Sequence, residues 1–252
     1  MRGISEKKFN YLCFLDELIN TSFSIKVTCM EPWLEKRYFR CARWSRVLIS
    51  LPFTRAIILN GSLASGTSKK SSDIDLLIIA KPGRIFTARF LVNVLGTLTF
   101  IKRTSSESSS HANLFCFNYF LIENFLKIPV GRGKAVDDYC ADNYSKSVLA
   151  AGDEIIFDKF MQENSELFGS RKLTDHRKYS AYFRNNMSKN FLKESMEILL
   201  GGKVGDAVER ALKVFQKRLI ELDDRTKKYP EFIVYNDCEL RFHPPKNKKI
   251  ST

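Results

Sequence analysis

The chain has 252 residues, 44% apolar and 27% charged, an ordinary globular composition that can bury a core. Its formal net charge of +13 favours polyanionic partners such as nucleic acid, nucleotides or anionic lipid. Six cysteines with no C-x-x-C pair, and three histidines far apart, exclude the usual zinc-site spacing and suit a reducing cytoplasmic setting.

The N-terminus, "MRGISEKKFN", lacks the apolar core of a signal peptide. "FNYLCFLDELI" is compatible with a first helix. A clearer one is expected from Leu34 to Ile49, where Leu34, Tyr38, Cys41, Ala42, Leu48 and Ile49 share a face. Its other face carries Lys36, Arg40, Arg43 and Arg46, with Arg37 at the edge. That face reads as a solvated surface or as a phosphate-facing stripe. Trp33 and Trp44 are expected to pack on the core rather than stack on bases. Pro52 ends the helix, and "RAIILN" then reads as a strand from Arg55 to Asn60.

A Gly/Ser-rich loop follows, then a strand from Asp73 to Ala80 closed by Pro82 and Gly83. Phe86, Phe90, Leu91, Val94, Leu95 and Leu98 form a helical stripe between Arg84 and Phe100. The most apolar stretch, "FLVNVLGTLTFI" from Phe90, is too short to span a bilayer, so no integral membrane span is expected. After the polar loop "TSSESSSHAN", the aromatic run Leu114 to Ile122 fits a third strand. "PVGRGKAVDDYCADNYS" looks like a connection. Helices are expected over about Ser147 to Met161, Ser188 to Leu200 and Val204 to Leu222. The last has Val204, Val208, Leu212, Phe215, Leu219 and Leu222 on one face, and an irregular basic tail follows. The fold class is therefore α+β: an N-terminal helical segment (1–50), a core with a small mixed sheet and packed helices (51–130), and a helical C-terminal region (131–252).

Chemistry concentrates in "GSLASGTSKKSSDIDLLIIA", residues 61 to 80. Strand alternation puts Asp73 and Asp75 on one face at the mouth of an apolar run. Charge there is costly unless a cation pairs with it. Two carboxylates one strand-step apart can share a hard divalent ion, and magnesium takes such carboxylates together with substrate phosphates. Gly61 permits close backbone approach, Ser62 offers a hydroxyl and an N–H to a phosphate, and Lys69 and Lys70 add charge.

The order Gly-Ser, ten residues, then Asp-x-Asp opening an apolar strand resembles the nucleotidyltransferase superfamily typified by DNA polymerase beta, most of all its minimal stand-alone members. The likeness covers about Ala56 to Ala80. It extends more weakly to "KPGRIFTARFLVN", "FCFNYFLIENF" and "NDCELRFHPP". It implies a polymerase beta-like palm in which Gly61, Ser62, Ser65, Lys69 and Lys70 bind a nucleoside triphosphate such as ATP. Asp73 and Asp75 would hold two Mg2+ (or Mn2+) ions as metal ligands and catalytic residues.

The implied reaction transfers a nucleoside monophosphate to a hydroxyl of RNA, protein or a small molecule, with pyrophosphate leaving. Members usually add a third carboxylate from a following strand. Here that strand offers Asn118 as a neutral oxygen ligand, with Cys116 on the same face and no acid. Glu123 just beyond the strand, or Asp137 and Asp138 in the connection, are the candidates to replace it, against a reading of all three as solvated loop acids. The alternative is a nucleotide- or RNA-binding regulator with weakened catalysis. Arg171 and His176 match an R-x4-H spacing by chance frequency, and His243 reads as a packed tail residue.

Overall fold

The computed structural model describes residues 31–103, 112–131, 133–169, 181–183 and 191–242. The first expected helix, the 104–111 part of the polar loop, Arg171, His176 and His243 lie outside them. The fold is α+β around a six-stranded sheet of order β4-β1-β2-β3-β6-β5. Its strands are β1 (Thr54–Asn60), β2 (Ile74–Ala80), β3 (Phe115–Ile122), β4 (Val148–Gly152), β5 (Ile233–Tyr235) and β6 (Glu239–Phe242). Among the strands of the described residues only β2 and β3 pair in parallel.

Helix α1 (Pro32–Ile49) starts on a proline, whose fixed φ suits a first turn. It buries Tyr38, Cys41, Ala42, Trp44 and Leu48 against one side of the sheet. The short α2 (Gly61–Ala64) follows β1, and α3 (Ile85–Leu98) crosses from β2 to β3 on the same side as α1. The opposite side packs Ile58, Leu77, Ile79, Tyr119 and Leu121 against α4 (Lys134–Tyr144), α5 (Glu154–Glu163) and α6 (Ser165–Phe168).

Several expectations are corrected. The segment read as a connection contains α4, which buries Val136, Cys140, Ala141 and Tyr144 at helical spacing. The run from Ser147 is not one helix but β4 followed by α5. Gly152, at φ +111°, ends the strand where a Cβ would meet Arg55 O at 2.4 Å, and Asp153 caps α5 through the Ile155 and Ile156 amides. Part of the expected irregular tail is the β5–β6 hairpin. The Asn236 side chain accepts the Cys238 and Glu239 amides at 2.8 and 2.7 Å and closes the turn. Three of the six strands therefore come from beyond residue 131.

Helices α7 (Phe191–Leu199) and α8 (Lys203–Leu222) attach through polar groups. Glu209 of α8 accepts the Phe86 and Thr87 amides at 2.9 and 2.8 Å, satisfying the first turn of α3. Gln216 donates to Phe86 O at 2.8 Å. These contacts turn the polar side of α8 inward. Leu212 reaches the core, but Val204, Phe215, Leu219 and Leu222 of the predicted core face are exposed. Helix α3 is rotated likewise: Ala88, Val92 and Gly96 are buried, whereas Phe90, Val94 and Leu98 are exposed.

Glu197 straps α7 to the sheet. It takes Arg55 in two 2.9 Å bonds and accepts the Phe53 amide at 2.7 Å. Burial pushes its carboxyl up, but Arg55 and that amide outweigh burial and hold it below its ordinary 4.5. A depressed folded pKa stabilises above the unfolded value and is lost as pH falls through the folded one. Glu197→Gln should cost about 1–2 kcal/mol at neutral pH. In urea unfolding across pH, the gap between parent and variant should stay constant above pH 4.5 and close below it.

Candidate metal and nucleotide centre

The centre forms where β1 ends and β2 and β3 begin. Asn60, the last residue of β1, pairs with Asp75 across the antiparallel ladder and is bonded to Ser147 at 2.6 Å. Asp75 pairs with Cys116 across the parallel ladder. Asp73 and Cys116 are each 2% exposed, while Asp75 is half-buried. One ligand atom from each of Asp73, Asp75 and Cys116 lies within 4.8 Å of the others, a spacing that a single ion can bridge. Gly61 stands over Asp75 with φ +66°, and a Cβ there would meet Asp75 Oδ2 at 2.5 Å. Only glycine lets the backbone come so close.

Asp73 is not bare. Arg103 pairs with it through Nη1. Arg37 lies within electrostatic reach as well. Burial lowers the pKa of that guanidinium and Asp73 partly restores it. Arg37, expected at the edge of a surface stripe, is itself 2% exposed. It donates to Ser68 Oγ (2.7 Å), Lys69 O (2.7 Å), Lys70 O (2.8 Å) and Asn113 Oδ1 (2.9 Å). It thus pins the Gly/Ser loop to the entry of β3 and lies 5.4 Å from the Trp33 ring. Arg40 donates to Asn113 O at 3.1 Å, whereas Lys36 and Arg46 are exposed. Trp44 is buried.

The nucleotide-binding candidates fall in this loop. Ser62 is half-buried beside Gly61. Ser65 shares its hydroxyl with Thr67 at 2.8 Å, and the Lys69 and Lys70 side chains are exposed above carbonyls that Arg37 fixes.

Asn118 was expected in the third-ligand place, but the strand register puts Cys116 opposite Asp75. β3 advances from Cys116 to Tyr119 while β2 advances from Asp75 to Leu77. Asn118 turns its amide nitrogen to the Cys116 sulfur at 2.7 Å. Burial, then the charges of Asp75 and Asp73, push the Cys116 thiol well up. Glu123 lies at the other end of β3, roughly 20 Å away at strand rise, and pairs with Arg55 at 3.5 Å. Asp137 accepts the Gly131 amide at 2.9 Å. Tyr139 of α4 packs edge-on against Phe232 and lies within electrostatic reach of Asp75 and Cys116. Burial, with Asp75 and Cys116, raises its pKa.

Paired carboxylates thus stand at a strand mouth, beside a glycine pressed against one of them. Residues 46–124 match the family model for the nucleotidyltransferase domain, in line with the resemblance to the polymerase beta-like superfamily. Comparison with curated proteins and with solved structures gave no match. Among the described residues no helix is long and apolar enough to cross a membrane.

Removing the Arg103 charge leaves Asp73 buried beside Asp75 with less compensation. Arg103→Gln should lose about 3 kcal/mol without metal. It should also show a larger manganese-induced rise in Tm than the parent, because the ion no longer competes with Arg103. Thermal melts with and without manganese check both effects.

Proposed function

We propose that the protein transfers a nucleoside monophosphate from a nucleoside triphosphate, with ATP as the first candidate, to a hydroxyl acceptor. The observation that carries this reading is the placement of Asp73 and Asp75 on one face with Gly61 closed over Asp75, inside the segment that matches the family. The donor set fits a divalent ion. A bound divalent ion would polarise the reacting phosphate, activate the acceptor hydroxyl and offset charge on the pyrophosphate.

The chain's own part is position and electrostatics. Asp73 and Asp75 would hold the metal. Gly61 and Ser62 would take the phosphates, and Ser65, Lys69 and Lys70 would line their approach. Arg37 holds that loop in register with the carboxylates. Arg103 supplies a positive charge at Asp73 until an ion replaces it. The net charge of +13 favours acceptors that carry phosphate, with RNA ahead of a protein or small-molecule hydroxyl. The setting that suits such substrates and the scattered free thiols is the cytoplasm.

A second reading has support from two observations, the Arg103–Asp73 pair and a thiol where a third carboxylate is usual. In that reading the chain binds nucleotide or RNA as a regulator and turns over poorly.

The four ribonucleotides, labelled at the α-phosphate and offered with cell RNA and extract, distinguish the two. Transfer of label with pyrophosphate release, abolished in Asp73→Asn/Asp75→Asn but not in a folded control such as Lys36→Ala, supports the enzyme. Nucleotide binding that needs Asp73 and Asp75, without any release, supports the regulator. Label transfer that survives the double substitution contradicts both.

A further inference from the structure

The third donor at the centre is sulfur. Cys116 stands across the β2–β3 ladder from Asp75, and its Sγ falls within the 4.8 Å cluster with Asp73 and Asp75. Magnesium takes oxygen donors and gives up its water reluctantly. Thiolates are soft donors and select zinc-like ions, and mixed oxygen–sulfur sets suit zinc and its spectroscopic surrogate cobalt.

The sulfur is built into the site. It is 2% exposed, so the side chain has no other solvent-facing use. Asn118, left out of the ladder by the bulge, aims Nδ2 at it from 2.7 Å. An N–H donor on a sulfur is the outer contact that orients a thiolate ligand and steadies its charge. The other described cysteines have different surroundings: Cys41 lies against Ser45, Cys140 receives Arg241, and Cys238 sits at the hairpin turn.

We propose that the centre selects a divalent ion that accepts sulfur, of the zinc class, over magnesium, with Asp73, Asp75 and Cys116 as its ligands. The proposal rests on reading this place as a metal centre. Binding exchanges the Cys116 proton, released to solvent, for a metal–sulfur bond. It also moves Arg103 off Asp73.

The test titrates the full chain with Co2+ alone, without nucleotide. The parent should show visible cobalt bands together with a sulfur-to-cobalt charge-transfer band in the near ultraviolet. Excess magnesium should leave both in place. Cys116→Ser should lose the charge-transfer band and bind cobalt at least about tenfold more weakly, since loss of an outer-shell contact alone costs that much. Cys116→Ala, checked by circular dichroism, repeats the measurement if the serine variant does not fold.

Visible bands that depend on Asp75 but carry no charge transfer would overturn sulfur ligation and leave the metal centre standing. A charge-transfer band that persists in Cys116→Ser comes from another cysteine and also overturns it. Displacement of cobalt by equimolar magnesium in the parent overturns the selectivity without any variant. Absence of any cobalt spectrum removes the metal centre itself.

Discussion

Asp73 is 2% exposed and sits at the head of a strand whose following residues, Leu76 to Ala80, fill the core. An ionised carboxylate in that position requires a cation, because burial without one costs several kcal/mol. The chain supplies Arg103 in direct contact and Arg37 at a distance. Much of the surrounding geometry follows from that requirement. Arg103 comes from the segment after α3, which runs beside the start of β3: the Arg103 amide donates to Phe115 O at 2.8 Å and the Phe115 amide to Ile101 O at 2.7 Å. Arg37 comes from α1, and its four hydrogen bonds set both the Gly/Ser loop and Asn113. The same two arginines that make the apo centre tolerable also define where its loop and strands lie.

The far wall of the centre depends on a second buried charge pair. Glu239 and Arg241 of β6, 3.3 Å apart and almost fully buried, face α4. Arg241 donates to Cys140 Sγ at 2.9 Å and lies 5.9 Å from the Tyr119 ring. Such a pair adds little net stability against an apolar replacement, but it allows few alternative arrangements. It ties α4 to the sheet through Cys140.

The sequence displayed the elements with strong periodicity. α1, β1, β2, α3, β3 and α8 appear within a few residues of expectation, and Gly61, Asp73 and Asp75 converge as their spacing implies. The missed elements have physical reasons. In "VLAAGDEIIF" a short strand and a capped helix merge into one apolar run, and only Gly152 and Asp153 mark the break. α4 follows two glycines and carries acids between its buried positions. The orientation of α8 was not legible, because Glu209 and Gln216 dock it through α3 rather than through its apolar stripe. Which β3 residue stands opposite Asp75 depends on a bulge, which no local pattern announces. Arg103 lies thirty residues from Asp73, and a contact of that kind leaves no spacing motif.

Arg103 holds the place at Asp73 that a metal ion would take. Crystals grown with cobalt and a non-hydrolysable nucleoside triphosphate address it directly, through anomalous scattering. The expected result is an anomalous peak between Asp73, Asp75 and Cys116, the Arg103 guanidinium moved off Asp73, and phosphates against Gly61 and Ser62. Nucleotide bound elsewhere, with Arg103 still paired to Asp73 and no peak between the carboxylates, would contradict it.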